Sequence, residues 1–148
     1  MSHIPMRRYD DLVIGEKFVS DFLTVDGAEM LAFSREYDPQ WFHADEEKSR
    51  QSPFGEVIAS GVYVLALWRK LDHQICGDID YICGVEWTNT KWLIAVKAGD
   101  RLRATSELLD KHPSGSGKKR GITTNLCRLE NEAGDTVLEF TSIALINI

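Results

Sequence analysis

The chain has 148 residues, of which 43% are hydrophobic and 27% are charged, and its formal net charge at pH 7 is -6. This length and composition predict one globular domain, residues 1–148, that buries a core without help from disulfides or a metal ion. The negative charge argues against a surface that binds nucleic acid or an anionic membrane, because such a surface needs a basic face.

A short β-prone run at residues 17–23 is followed by a helix. Asp26 and Glu29 have the spacing of a capping box, which predicts that this helix begins at Asp26. Pro39 disfavours helical backbone for the residue before it, so we expect the helix to end by about Tyr37.

The most apolar stretch of the chain opens at Gly61 and predicts a helix that runs to about Asp72. Its apolar residues recur near the helical period and also fill the other faces, which is typical of a buried helix. Ala59 and Ser60 precede Gly61, and these small residues let another backbone or a ligand approach the start of the helix.

From Gly84 onward the pattern changes to strands. Four segments of strand length are rich in β-branched and aromatic residues: 85–96, 100–113, 120–131 and 135–148. The sequence EAGD between the last two is typical of a hairpin turn. One early strand, one buried helix and four antiparallel strands predict an α+β fold in which the sheet wraps around the helix.

The cysteines are odd in number and follow no regular framework, which predicts reduced thiols: Cys76, Cys83 and Cys127. Neither the apolar stretch of a signal peptide nor an uncharged apolar run of about 20 residues is apparent. We therefore expect a cytoplasmic protein that does not cross a membrane.

The segment DPQWFHAD, residues 38–45, contains two candidates for chemistry, Asp38 and His43, on a stretch that we expect to be non-helical. Histidine titrates near neutral pH, and a neighbouring carboxylate can orient its ring or help hold a water molecule. Trp41 and Phe42 can shield that water from bulk solvent. Alternatively Asp38 caps a turn and His43 makes one ordinary hydrogen bond, and the spacing alone favours this structural interpretation.

Two further features admit two interpretations each. The sequence ASG at 59–61 can present backbone N–H groups to a developing oxyanion, or merely allow tight packing. A basic cluster can meet a coenzyme phosphate or form a solvated loop: Lys111, Lys118, Lys119 and Arg120. A metal site made of Asp38, His43 and Asp45 lacks a fourth ligand, so we predict no metal.

The segment FSREYDPQWFHADEEKSRQSPFGEVIASGVYVLALWRKL resembles the MaoC-like dehydratases, which include the (R)-specific enoyl-CoA hydratases. The residues that match the family pattern are Phe33, Asp38, His43, Asp45, Phe54 and Gly61. WLIAVKAGDRLRATSELLD and the last two predicted strands extend the resemblance to about residues 10–148. Pro39 and Gln40 follow Asp38 directly, and Ser60 stands where the family usually has His, which marks a divergent DPQ…ASG subgroup.

The resemblance implies a single hotdog domain, an antiparallel sheet curled around the central helix, that pairs into a homodimer or higher oligomer. It implies a hydratase or dehydratase for thioesters of coenzyme A or acyl carrier protein, with coenzyme A as part of the substrate and no other cofactor. Asp38 and His43 would be catalytic, and the Gly61 N–H, beside Ser60, would hold the thioester oxygen. The acyl chain would contact aromatic residues: Trp41, Phe54, Tyr63 and either Trp87 or Trp92.

Two other classes of function stay open. A hotdog thioesterase would use a carboxylate such as Asp38 or Asp45 to activate water against the thioester carbonyl, and it would release a thiol. A non-catalytic acyl-CoA-binding subunit is the third interpretation, which the departures at Pro39 and Ser60 encourage.

Overall fold

A computed structural model describes residues 7–115 and 117–148 of the chain. The helices are α1 (Gly27–Tyr37), α2 (Trp41–Ala44) and α3 (Gly61–Cys76). The strands are β1 (Lys17–Val19), β2 (Leu23–Thr24), β3 (Tyr81–Trp92), β4 (Arg101–Pro113), β5 (Arg120–Asn131) and β6 (Thr136–Asn147). Short 3-10 turns span Tyr9–Asp11 and Lys48–Gln51.

All six strands form one antiparallel sheet in the order β1-β4-β5-β6-β3, with β2 also paired to β4. The predicted turn at residues 132–135 joins β5 to β6, and Gly134 in it has the positive φ of 84° that favours glycine.

The expected strand at 17–23 is divided in two because Ser20 interrupts the backbone pairing with β4. Its hydroxyl oxygen accepts the Ala104 N–H at 2.8 Å, a donor of the neighbouring strand.

Helix α1 has the predicted boundaries. The Asp26 side chain accepts hydrogen bonds from the N–H groups of Ala28 and Glu29, and the helix ends at Tyr37. The Glu29 carboxylate accepts a hydrogen bond from the Tyr63 hydroxyl at 2.8 Å. This contact joins the first turn of α1 to the first turn of α3.

Helix α3 is longer than predicted and runs from Gly61 to Cys76. The expected end near Asp72 was wrong because Asp72 is buried and pairs with Arg69 of the same helix at 2.9 Å, so this charge does not interrupt the buried face. The expectation that α3 is buried on nearly every side was also wrong, since Val62 is 55% exposed.

The buried side of α3 packs against the sheet and forms the main core. From the helix come Leu67, Trp68 and Leu71, and from the sheet Leu102, Leu129, Leu138 and Phe140. Each side chain of this size contributes about 1.5–3 kcal/mol when it is fully buried. An antiparallel sheet with a central helix packed against it is the hotdog arrangement, so the predicted fold class is confirmed.

Within residues 7–115 and 117–148, no helix is long and apolar enough to cross a membrane. The three cysteines are free thiols, of which Cys83 alone is exposed.

Candidate active site

Asp38 lies directly after α1, as the sequence predicts. Its N–H donates the last hydrogen bond of the helix to the Ser34 carbonyl at 2.9 Å, and its own φ of -150° is extended. Pro39 accounts for this change of backbone, because it excludes the helical conformation from the preceding residue. The Asp38 side chain therefore leaves the end of the helix while remaining 29% exposed.

His43 lies on the single turn of α2, and the expectation that residues 38–45 are non-helical was wrong for this part. The turn forms because the Gln40 carbonyl accepts the N–H groups of both His43 and Ala44 at 2.9 Å. This arrangement needs only one helical turn after Pro39, so the proline does not prevent it.

The His43 ring is buried and is held by a backbone group. Its Nδ1 lies 2.7 Å from the Ile58 carbonyl oxygen, and the Ile58 N–H donates to the Phe42 carbonyl at 3.2 Å. A carbonyl oxygen can only accept, so Nδ1 carries the proton and the neutral ring has its lone pair on Nε2.

Nε2 of His43 lies 3.7 Å from Oδ2 of Asp38. This distance is too long for a direct hydrogen bond but short enough for both atoms to contact one bound oxygen atom. Asp45 has another role, since its Oδ1 accepts the N–H groups of Glu47 and Lys48 at 3.0 and 2.9 Å and holds the next turn. Among the described residues, no three His, Cys, Asp or Glu side chains form a group suited to one metal ion.

Asp38 and His43 border an open cleft of about 530 Å³. The other residues that line it are Phe54, Ile58, Ala59, Gly61, Val62, Val64, Trp92, Leu93, Ile94, Ala95 and Val96. All of their side chains are apolar apart from the Trp92 indole nitrogen. An apolar cleft with one acid–base pair at its border suits a ligand with a hydrocarbon part and a reactive polar part.

The start of α3 forms one wall of this cleft. Ser60 is fully buried, and its hydroxyl oxygen accepts the Tyr63 N–H at 3.1 Å. The N–H of Gly61 precedes the first hydrogen bonds within the helix and carries partial positive charge. A Cβ atom on Gly61 would lie 2.9 Å from the Trp92 ring, whose Nε1 donates to the Gly61 carbonyl at 3.1 Å. Close packing against Trp92 thus requires glycine at the first residue of α3.

Only some of the aromatic residues predicted to contact the acyl chain line the cleft in the structure. Phe54 and Trp92 line the cleft. Trp41 is half-exposed and its ring contacts Phe42, outside the cleft lining. Tyr63 is buried in the core, where burial and the hydrogen bond to Glu29 raise its pKa. Trp87 borders a different cleft.

Two parts of the site were missed by sequence reasoning. The Ile58 carbonyl is a backbone acceptor, which has no signature in the sequence. Residues 93–96 were predicted to end a strand at 85–96, but β3 spans Tyr81–Trp92 and these apolar residues leave the sheet to line the cleft.

The basic cluster lies far from this cleft within one chain. Arg120 pairs with Asn147 at one end of β6, whereas Trp92 of the cleft pairs with Leu138 near the other end. These two β6 positions are nine residues apart along the strand, a distance of about 30 Å.

Fold and site together define a hotdog protein with a histidine–carboxylate pair at an apolar cleft. The sequence matches the MaoC like domain family over residues 11–130. It is 34% identical over 134 residues to the uncharacterised protein YdeM of Bacillus subtilis, covering 89% of this chain and 93% of that protein. It is 31% identical over 123 residues to 3-hydroxyacyl-thioester dehydratase Z of Mycobacterium tuberculosis, covering 80% and 82%.

The crystal structure of a MaoC-like dehydratase from Rhodospirillum rubrum matches this fold with a TM-score of 0.82 and 30% identity. The match covers 94% of this chain and 95% of that one. The chain therefore belongs to the MaoC-like family of hydratases and dehydratases, and the predicted resemblance is confirmed.

Proposed function

We propose that the protein interconverts 2-enoyl thioesters and 3-hydroxyacyl thioesters by adding or removing water. The observation that carries this proposal is the geometry of His43, whose Nδ1 is fixed on the Ile58 carbonyl while Nε2 lies 3.7 Å from Asp38. The dehydratase relative from Mycobacterium tuberculosis, named for 3-hydroxyacyl thioesters, supports the same substrate class.

In the hydration direction, one water molecule binds between Nε2 of His43 and the Asp38 carboxylate. Its oxygen adds to C3 of the enoyl group while Nε2 accepts one of its protons. The electrons of the double bond move toward the thioester carbonyl, and the His43–Asp38 pair then returns a proton to C2. The net reaction adds one water molecule across the double bond. General acid–base catalysis of this kind typically raises the reaction rate about 10²–10⁴-fold.

The negative charge that develops on the thioester oxygen needs a hydrogen-bond donor. The N–H of Gly61 supplies one at the start of α3, where the helix dipole adds partial positive charge. Val62 and Val64, which line the same wall, keep the surroundings apolar and strengthen this interaction. These steps use the protein's own groups, so coenzyme A or acyl carrier protein enters as the carrier of the substrate and no further cofactor takes part.

A second copy of the chain is proposed to cover the edge of the sheet at β3. In the described part of the chain, β3 pairs with β6 alone. It exposes apolar side chains that a solvated edge strand rarely carries: Ile82, Val85, Trp87 and Trp92. Since Trp92 also lines the cleft, the proposed homodimer would place the site beside the subunit interface.

The test is to mix the protein with a short 2-enoyl-CoA and to follow the conjugated thioester absorbance together with a thiol reagent. Loss of conjugation without thiol release is the result that the proposal requires. Release of thiol would instead indicate a thioesterase. No change in either signal with short, long and branched 2-enoyl-CoAs would favour a non-catalytic binding subunit and contradict the proposal.

A further inference from the structure

The groove between α3 and β3 contains a second cleft, of about 410 Å³, beyond the candidate active site. On α3, Val64 lines the active-site cleft, whereas Trp68 and Asp72 line the second one. Residues four apart lie on one helix face, so these three side chains form a row. On β3 the order is the same, with Trp92 at the first cleft and Trp87 at the second. The two clefts therefore follow one another along the same groove.

Three aromatic rings meet at the second cleft, and two of them, Trp68 and Trp87, belong to its lining. Trp68 meets Trp87 edge to face, with ring centroids 5.5 Å apart, and both rings pack against Phe140 at 4.5 and 5.2 Å. Trp68 and Phe140 are almost completely buried. Large rings in mutual contact are held in specific geometry, so these three residues, called here the aromatic partition, form a fixed wall.

The lining of the second cleft includes polar side chains that the active-site cleft lacks. Asp72 is 5% exposed and pairs with Arg69 at 2.9 Å. The Asn125 side-chain amide donates to the Ser106 hydroxyl oxygen at 3.0 Å. An alkyl chain that entered this cleft would remove water from the buried Asp72 carboxyl group and its half-exposed partner Arg69, which is unfavourable. Because of these polar groups, the second cleft is a poor continuation of the apolar active-site cleft for an alkyl chain.

Resting on the proposed hydratase function, we infer that the aromatic partition closes the acyl end of the site and restricts the protein to short-chain acyl thioesters. The bound thioester oxygen would lie at Gly61, and the wall begins with Trp68, seven residues further along α3. Seven residues of α-helix span about 10 Å, which matches a short acyl group and excludes a long one. Trp68 is thereby assigned as a residue that determines chain-length specificity.

The experiment measures kcat/KM for hydration of 2-enoyl-CoAs with four, eight and twelve carbons. For the unaltered protein, kcat/KM should fall at least about tenfold from the four-carbon to the eight-carbon substrate, because one unaccommodated methylene already costs about 10–200-fold. Trp68→Leu should raise the ratio of eight-carbon to four-carbon kcat/KM at least about tenfold. The Trp68 indole nitrogen is buried with no partner among the described residues, so this substitution removes no described hydrogen bond.

Two further variants complete the test. Trp87→Leu alters the same wall at a half-exposed residue and should shift the ratio in the same direction even if Trp68→Leu folds poorly. Leu129→Ala removes a fully buried core side chain outside the lining of either cleft and should leave the ratio unchanged.

Equal hydration of four-carbon and twelve-carbon substrates by the unaltered protein would overturn the inference and leave the proposed function intact. An unchanged ratio in folded Trp68→Leu and Trp87→Leu would overturn it as well. Absence of hydration at every chain length would overturn the proposed function itself, and the inference with it.

Discussion

His43 and Asp38 approach each other to 3.7 Å because the histidine ring is held from its opposite side by a backbone carbonyl. The Nδ1–H of His43 donates to the Ile58 oxygen, so the other tautomer would leave a buried carbonyl without its donor. A buried group left unsatisfied costs about 1–3 kcal/mol, which keeps the lone pair on Nε2. The atom that meets Asp38 is therefore the basic atom of the neutral ring.

Replacing His43 with alanine should lower hydration of a short 2-enoyl-CoA by about 10²–10⁴-fold, the usual contribution of a general acid–base group. The matched control is His112→Ala, since His112 lies 3.0 Å from a carboxylate oxygen of Asp110 but is exposed on the surface. It should retain full activity. Steady-state kinetics, with circular dichroism to show that both variants fold, checks the prediction, and equal turnover by His43→Ala would remove His43 from the mechanism.

Gly61→Ala should destabilise the protein and lower hydration, because the added Cβ would lie 2.9 Å from the Trp92 ring. Overpacking of this kind costs about 1–3 kcal/mol. The control is Gly84→Ala, where a Cβ meets nothing within 4 Å, and its stability should lie within about 1 kcal/mol of the unaltered protein. Urea unfolding and kcat/KM measure the two effects. If Gly61→Ala and Gly84→Ala had the same stability and the same kcat/KM, the close contact with Trp92 would affect neither stability nor hydration.

Asp72 should make the free energy of unfolding depend on pH. Burial raises the pKa of this carboxyl above its ordinary value of 3.8, although Arg69 opposes the shift. The folded protein then binds the proton more tightly than the unfolded chain does. The contribution of Asp72 to stability is therefore full below pH 3.8 and is lost as the pH rises through the folded-state pKa.

Asp72→Asn removes this dependence, because the amide does not titrate. The free energy of unfolding of the variant minus that of the unaltered protein should therefore become more positive as the pH rises from acidic to neutral. Urea unfolding of both proteins across this range gives the difference at each pH. A difference that stayed constant, or that fell with rising pH, would show that burial does not raise the pKa of the Asp72 carboxyl group.

The sequence predicts the elements that follow from local chemistry. The Asp26 cap and Pro39 define α1, and alternating β-branched residues with a glycine turn identify the long strands. The position of Asp38 in a loop also follows from the residue after it. These signals act over a few neighbouring residues, so they need no knowledge of the tertiary fold.

Tertiary contacts determine what the sequence left open. Tyr63 was expected beside the acyl chain, but a helix with apolar residues on most sides does not indicate which of them meet the sheet or another helix. Its hydroxyl instead donates to Glu29, a residue that the sequence had assigned to a capping box. Likewise the partner of His43 Nδ1 is a backbone oxygen 15 residues away, which only the folded chain brings close.

The exposed apolar side chains of β3 lead to a prediction about assembly. Val85→Lys should weaken the proposed homodimer, because it places a charge on an edge strand and in an apolar contact. The matched control is Val13→Lys, since Val13 is 58% exposed, as is Val85, but lies outside β3. Sedimentation velocity over a range of concentrations should show dimers for the control and a shift toward monomers for Val85→Lys. Identical profiles for the two variants would exclude this part of β3 from the interface.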